Sequence, residues 1–457
     1  MLFSAGVFWL FYAIVLLLLQ TNYLKIKSLR FQNITLLIAS YFFYGYWDWK
    51  FLGLIILVTS QTFIAAYLIS KLDQHKRKIL FSSICINLLV LGYFKYVGFF
   101  VSEFVSTFNL DQNFSLENII LPVGISFYIF QSFTYVMDVY LRKIEPEKDP
   151  IKYFIFVAFF PQLVAGPIER ASALLPQFNT LKGVDFDSLY SGIKIIIIGL
   201  FLKVFIADSL SSGGVDMIFS DYQNYNGGTL LLGALGFTVQ IYCDFAGYSL
   251  IAIGVAKIMG FELMKNFNTP YFSTSIQDFW RRWHISLSSF FRDYVFIPLG
   301  GSRISSSVTN RNLLITFITS GLWHGANWTF IFWGAIHGFL LVLQKVSNVN
   351  FNRVFGWFMT MTLVVVLWIL FRSPSILDFY QYLNIIISTP GFPEVGRSMV
   401  FFFLYYLIVD LALLKYSEQG DTWFSSIFAE CITLAVMIVL VAGTIHDTNL
   451  NFIYFQF

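Results

Sequence analysis

The chain has 457 residues, of which 57% are hydrophobic and only 12% charged, with a mean hydropathy of +0.70, whereas a water-soluble globular chain is about half apolar and about a quarter charged. A net charge of +3, thinly spread, with no Lys/Arg run interleaved with aromatics, excludes a nucleic-acid surface. The three cysteines, Cys85, Cys243 and Cys431, lie far apart in apolar stretches, which excludes a disulfide framework and a metal site of zinc spacing.

Aromatic residues make up 20% of the chain, 54 of them Phe, which suits broad lipid-facing and interfacial surfaces. The first stretch, MLFSAGVFWLFYAIVLLLLQ, has no basic n-region and no small-residue cleavage site, so a retained membrane span is expected. No lipidation signal is visible at either end. Further apolar stretches of spanning length follow at 31–49, 51–70, 79–101, 119–141, 188–207, 229–256, 313–345, 356–371, 398–416 and 430–446. At roughly 20 residues per crossing these predict an all-α polytopic membrane protein with about eleven transmembrane helices. The stretch 313–345 would overshoot the hydrocarbon core as one straight helix, so a broken pair is expected there. No fixed-period repeat, Gly/Ser linker or soluble domain interrupts the pattern, and 1–457 reads as one integrated membrane domain.

Positive charge gathers in alternate gaps: Lys25, Lys27 and Arg30; then Lys71, Lys76, Arg77 and Lys78; then Arg142, Lys143, Lys148 and Lys152. Such gaps are cytoplasmic. The gap between them, 101–118, carries Glu103, Asp111 and Glu117 without Lys or Arg, which places it and the N-terminus outside. The least membrane-like region is 266–312, where Asp278, Arg281, Arg282, His284, Arg292, Asp293, Arg303 and Arg311 mingle with Phe279, Trp280, Trp283, Phe290, Phe291 and Tyr294. That mixture predicts interfacial or re-entrant helix.

Five histidines are present: His75, His284, His324, His337 and His446. His75 lies in the charged turn KLDQHKRK and His446 in a polar stretch near the C-terminus, and both read as solvated. His324 is different, because ITSGLWHGANWTFIFWG is otherwise apolar and an ionisable group at membrane depth marks a functional site by default. A neutral imidazole bridging packed helices is the competing reading. In a dry pocket, a neutral histidine can take the proton of a hydroxyl as that hydroxyl attacks an acyl carbon. Gly321 and Gly325 would permit close approach of a substrate, with Asn327 and the indoles of Trp323 and Trp328 as polar anchors.

His284, 40 residues upstream, sits in QDFWRRWHISLSSFFRDYVFIPLGGSR. It could line the same cavity as His324. Alternatively Arg281 and Arg282, with Asp278 beside them, could form a segment recognising donor phosphates, or a basic interfacial helix holding anionic headgroups. His337 follows His324 by 13 residues, roughly 20 Å along one helix, and reads as structural or lumen-lining. No GxSxG, HExxH, CxxC or Walker loop is present, so soluble-enzyme chemistries have no support.

The runs FWRRWHISLSSFFRDYVFIPLGGSR and GLWHGANWTFIFWGAIHG resemble the signature of the membrane-bound O-acyltransferases, in particular their bacterial alginate O-acetyltransferase branch. Similar matches recur in GISFYIFQSFTYVMDVYL (124–141), FFPQLVAGPIER (159–170), IYCDFAGYSLIAIGVAKIMGF (241–261), WILFRSP (368–374) and the terminal FIYFQF (452–457), so the resemblance runs through essentially the whole chain.

The resemblance implies transmembrane and re-entrant helices around a central funnel or tunnel, with His324 catalytic and His284 on the acyl-transfer path. It implies no bound cofactor; acetyl-CoA or another activated acyl donor is the substrate, supplied on the cytoplasmic side of the inner membrane. It further implies passage of the acyl group across the bilayer to a cell-envelope polysaccharide, with a periplasmic or surface SGNH-type partner completing transfer. By the same resemblance Tyr454 could relay the acyl group, a step that needs its phenol deprotonated by a base such as His324; an aromatic interfacial anchor is the alternative. Two other functions stay open: D-alanyl transfer to teichoic acid by the same fold, and a transporter or flippase, although no paired repeat of broken helices is visible.

Overall fold

The computed structural model describes residues 1, 3–108, 119–164, 166–347, 351–419 and 427–444. Among the described residues the regular elements are all helical. In chain order the principal helices are α1 (Gly6–Thr21), α2 (Leu29–Asp48), α3 (Leu52–Lys71), α4 (Lys76–Leu91), α5 (Val97–Thr107), α6 (Ile125–Tyr140), α7 (Pro150–Ala158), α8 (Phe186–Leu200) and α9 (Gly227–Ile258). They continue with α10 (Ile276–Arg282), α11 (Ile285–Phe291), α12 (Ser306–His324), α13 (Trp328–Ser347), α14 (Arg353–Arg372), α15 (Ile376–Ser388), α16 (Met399–Gln419) and α17 (Ile427–Thr444).

Lipid offers the backbone no hydrogen bonds, so apolar runs of this length satisfy themselves as helix. Local chemistry sets their ends. Ser28 caps α2 by accepting from Phe31 N at 3.2 Å, Asp149 caps α7 by accepting from Ile151 N at 3.0 Å ahead of Pro150, and Asn352 caps α14 by accepting from Phe355 N at 2.8 Å. Among the described residues seven helical stretches are long and apolar enough to cross a membrane: Gly6–Ile26, Leu29–Lys71, Asp73–Thr107, Phe186–Ser220, Gly227–Ile258, Trp328–Ser347 and Arg353–Arg372. The expected break in 313–345 falls after His324, where α12 ends and α13 begins at Trp328. Region 266–312 holds the short helices α10 and α11 and the start of α12.

The chain divides into two compact units, Met1–Ile196 with Ile251–Met264, and Ile197–Leu250 with Lys265–Phe457. In the first, α1 buries Phe8, Tyr12, Val15 and Leu19 and leaves Leu10 and Leu17 exposed, the pattern of a helix whose solvent is hydrocarbon. Buried polar side chains find partners across helices: Tyr153 Oη donates to Thr62 Oγ1 at 2.8 Å, and Gln131 and Gln162 both donate to the Phe156 carbonyl, at 2.6 and 2.8 Å. The loop after α7 is tied down by Glu169, which accepts from Met264 N at 2.5 Å.

The second unit is built on α9 as far as Leu250 and on the hairpin of α12 and α13. Asp410 of α16 is buried and accepts from Tyr242 Oη at 2.8 Å and Tyr406 Oη at 2.9 Å. Arg372, at the end of α14, pairs with Asp216 at 2.5 Å and lies over the rings of Phe219 and Phe237, 4.6 and 4.7 Å from their centroids.

Candidate active site

Glycines set the spacing of the hairpin. A Cβ on Gly321 of α12 would meet the Phe330 carbonyl, one on Gly334 of α13 would meet the Phe317 carbonyl, and one on Gly338 would lie 3.1 Å from Phe317 Cβ. Backbone therefore packs on backbone, the arrangement that small residues give helix pairs in membranes. His324 is the last residue of α12, and the ring of Phe330 occupies the space a Cβ on Gly325 would need. The turn from Gly325 to Asn327 closes the hairpin without displacing the histidine.

The His324 imidazole is 4% exposed. It stands edge to face with Trp323, Trp333 and Phe371, at centroid separations of 4.9, 5.1 and 5.3 Å. His284 is fully buried at the corner between α10 and α11, in a left-handed backbone conformation at φ 41°. That conformation is costly for a residue with a Cβ, and Asn266 braces it. Ile285 N donates to the Asn266 carbonyl at 2.8 Å, Ser286 Oγ donates to Asn266 Oδ1 at 2.9 Å, and Asn266 Nδ2 donates to Ser249 Oγ at 3.1 Å. On the other side Asn268 N donates to the Arg282 carbonyl at 2.9 Å.

The His284 ring packs against Phe245 at 4.6 Å and Trp323 at 5.9 Å, and neither of its nitrogens has a hydrogen-bond partner among the described residues. Burial pushes its pKa from 6.5 down to about 3, so the imidazole is neutral at physiological pH. The structure thus brings His284 and His324 to one aromatic cluster, with Trp323 against both rings.

A cavity of about 430 Å³ has Arg281, Arg292, Ser288, Ser289, Thr316 and Ser320 in its wall; neither histidine lines it, and it reaches the cluster through Trp280, 5.6 Å from the Trp333 ring. Ser320 is one helical turn before His324, and Ile285, next to His284, also lines it. Arg281 therefore faces a space that could take a ligand. Arg282 instead pairs with Asp278 at 3.0 Å along α10. Asn327 donates from Nδ2 to the Pro374 carbonyl at 2.9 Å and accepts from Thr329 N at 3.0 Å, so its polar atoms anchor the hairpin turn. Trp323 is buried, and Trp328 is exposed. His75 is exposed in its turn. Tyr454, the segment 452–457 and His446 lie outside the described residues.

The ionic network of the second unit is absent from the sequence reading. Lys203, 1% exposed, pairs with Asp244 and, at 2.8 Å, with Asp208, and its ammonium lies 5.4 Å from the Tyr248 ring centroid. The signal was present: GLFLKVFIADSL, IYCDFAGYS and FLYYLIVDLALL each hold a charge within an apolar stretch, the pattern that singled out His324.

Residues 10–381 match the family described as MBOAT, membrane-bound O-acyltransferase family. The chain is similar to a probable alginate O-acetylase of Pseudomonas aeruginosa, 43% identical over 386 residues that cover 82% of this chain and 73% of that protein. It is also similar to a peptidoglycan O-acetyltransferase of Helicobacter pylori, 34% identical over 387 residues covering 77% and 72% of the two chains. A teichoic acid D-alanyltransferase of Bacillus subtilis is 31% identical over 250 residues, 53% of this chain and 63% of that protein.

Proposed function

Given that this chain belongs to the membrane-bound O-acyltransferase family and is a multi-pass membrane acyltransferase, we propose that it passes acetyl groups from a cytoplasmic thioester donor toward hydroxyls of a cell-envelope polysaccharide, with His324 as general base. One observation carries the reading: a nearly buried histidine ends a glycine-packed hairpin and shares an aromatic neighbour with a second, neutral histidine, and a cavity walled by arginine and hydroxyl groups reaches their cluster through Trp280.

His324 accepts the proton of the attacking hydroxyl as its oxygen bonds to the acyl carbon. The carbon–sulfur bond then breaks, and the imidazolium returns the proton to the leaving thiolate. The acyl donor is acetyl-CoA or a related thioester, and Arg281 and Arg292 at the cavity suit its phosphates. His284, kept neutral, lines the acyl path. Acetyl cargo is favoured because the relatives with the longest coverage are named for alginate and peptidoglycan O-acetylation, whereas the D-alanyltransferase matches about half of this chain.

The basic gaps after α1, α3 and α6 support a reading in which those connections are cytoplasmic and the N-terminus lies outside the inner membrane. A periplasmic SGNH-type protein completes transfer to the polymer, and Tyr454 is a candidate relay of the acetyl group toward it.

Ester-linked acetate on purified envelope glycans is compared between cells expressing wild type and His324→Ala at matched membrane levels. Loss in the variant supports the reading. Equal acetate from both, and from cells lacking the protein, overturns it in favour of D-alanyl transfer or transport.

A further inference from the structure

We propose that His337 is a positioning residue for acyl transfer, acting on His324 through the indole of Trp333 and itself held by the indole N–H of Trp280. The proposal rests on the reading of His324 as the base.

His337 lies on α13 and is 1% exposed. Its Nδ1 accepts from Trp280 Nε1 at 3.2 Å. An indole nitrogen only donates, so Nδ1 is unprotonated and the imidazole carries its proton on Nε2. This one bond selects both the tautomer and the orientation of the ring.

Trp333 stands between the two histidines. Its centroid is 5.1 Å from His324 at an interplanar angle of 84°, and 4.7 Å from His337 at 72°. Trp280 closes the cluster, 5.0 Å from His337 and 5.6 Å from Trp333. A ring in contact with His337, Trp280 and His324 cannot tilt without moving one of them, because close-packed interiors leave no slack at this scale.

Trp280 belongs to α10, whose last turn leads into the corner that carries His284. The hydrogen bond therefore ties the element presenting His284 to the helix whose tryptophan sets the His324 ring. A base must meet its proton within hydrogen-bond reach, and a small misplacement of a catalytic group costs rate rather than affinity. If His337 only filled space, its ring shape would suffice; if it positions, its acceptor nitrogen is needed.

That difference is the test. Envelope acetate is measured at matched membrane levels for His337→Phe, which keeps a ring without an acceptor, His337→Asn, which keeps an acceptor near the Nδ1 position, Trp280→Phe, their double variant with His337→Phe, and His324→Ala. We expect His337→Phe and Trp280→Phe each to lose about 10- to 100-fold, the double variant to lose no more than either, and His337→Asn to stay near wild type. Wild-type acetate in His337→Phe, or equal loss in Phe and Asn variants with equal thermal midpoints, overturns the proposal. Should His337→Phe fail to accumulate, Trp280→Phe tests the same bond from its donor side, and wild-type acetate there overturns it. Full activity in His324→Ala sinks the base reading and this inference together, whereas inactive His324→Ala beside active His337→Phe sinks the inference alone.

Discussion

His284 and His324 lie 40 residues apart in sequence and meet at one indole, Trp323, whose ring centroid is 5.9 Å from the first and 4.9 Å from the second. The two histidines arrive by different routes, one at the end of a long helix and the other on a strained corner held by Asn266. A chemical role and a structural role can therefore be separated at His284.

Asparagine tolerates the left-handed conformation better than other residues with a Cβ. His284→Asn is expected to reach the membrane at wild-type level and lose acetyl transfer about 100-fold. His284→Ala keeps the left-handed strain the histidine already bears and empties the space of a fully buried ring, so it is expected to unfold at lower temperature in detergent. Wild-type acetate from His284→Asn would remove His284 from the acyl path.

Much of this was legible in the sequence because lipid imposes simple rules. Apolar runs became α1 to α4, α9, α14 and the hairpin arms, and the break after His324 followed from a stretch too long for one crossing. His324 stood out as an ionisable group among apolar neighbours. The union of His284 with Trp323 and the brace from Asn266 could not be read, since both depend on which segments fold back onto each other. Nor could composition separate Asn327 as a substrate anchor from Asn327 as a turn anchor, because both uses require the same amide. Lys203, Asp244 and Asp410 obeyed the rule that flagged His324, but their pairing is tertiary information.

The buried cation Lys203 sets a stability prediction. Removing one partner from a buried ion pair leaves a charge without compensation and costs about 3–5 kcal/mol, whereas removing both can be nearly neutral. Lys203→Met is expected to lower the thermal midpoint of the detergent-solubilised protein, and the Lys203→Met, Asp244→Asn double variant to recover part of the loss, Asp208 still lacking its cation. A double variant less stable than Lys203→Met would show that the pair is not the source of the effect.

The hairpin glycines make a steric prediction. Gly334→Ala puts a methyl against the Phe317 carbonyl and the backbone of Gly321, two groups with no side chain to rotate away. Overpacking of this kind costs roughly 1–3 kcal/mol. Because His324 lies within a turn of Gly321, acetyl transfer should fall further than protein level does. Gly98→Ala, where a Cβ meets nothing within 4 Å, serves as the control and is expected to leave both unchanged. Equal effects at the two positions would rule out backbone contact as the reason for the glycine at 334.

Glu169 provides a pH prediction outside the membrane spans. Its side chain is 2% exposed, and burial raises its pKa from 4.5 to about 7, opposed by the Met264 N–H and the Arg170 charge. A raised carboxyl pKa means the folded state holds a proton that the unfolded state has released between those values. Its stabilising contribution is therefore complete below about pH 4.5 and is lost as pH rises toward about 7. The full difference corresponds to roughly 3 kcal/mol. Glu169→Gln keeps an oxygen to accept from Met264 N and cannot ionise. Wild type and Glu169→Gln should melt together near pH 5, and the variant should melt higher at pH 8; parallel melting curves at both pH values would show that this carboxyl does not titrate between them.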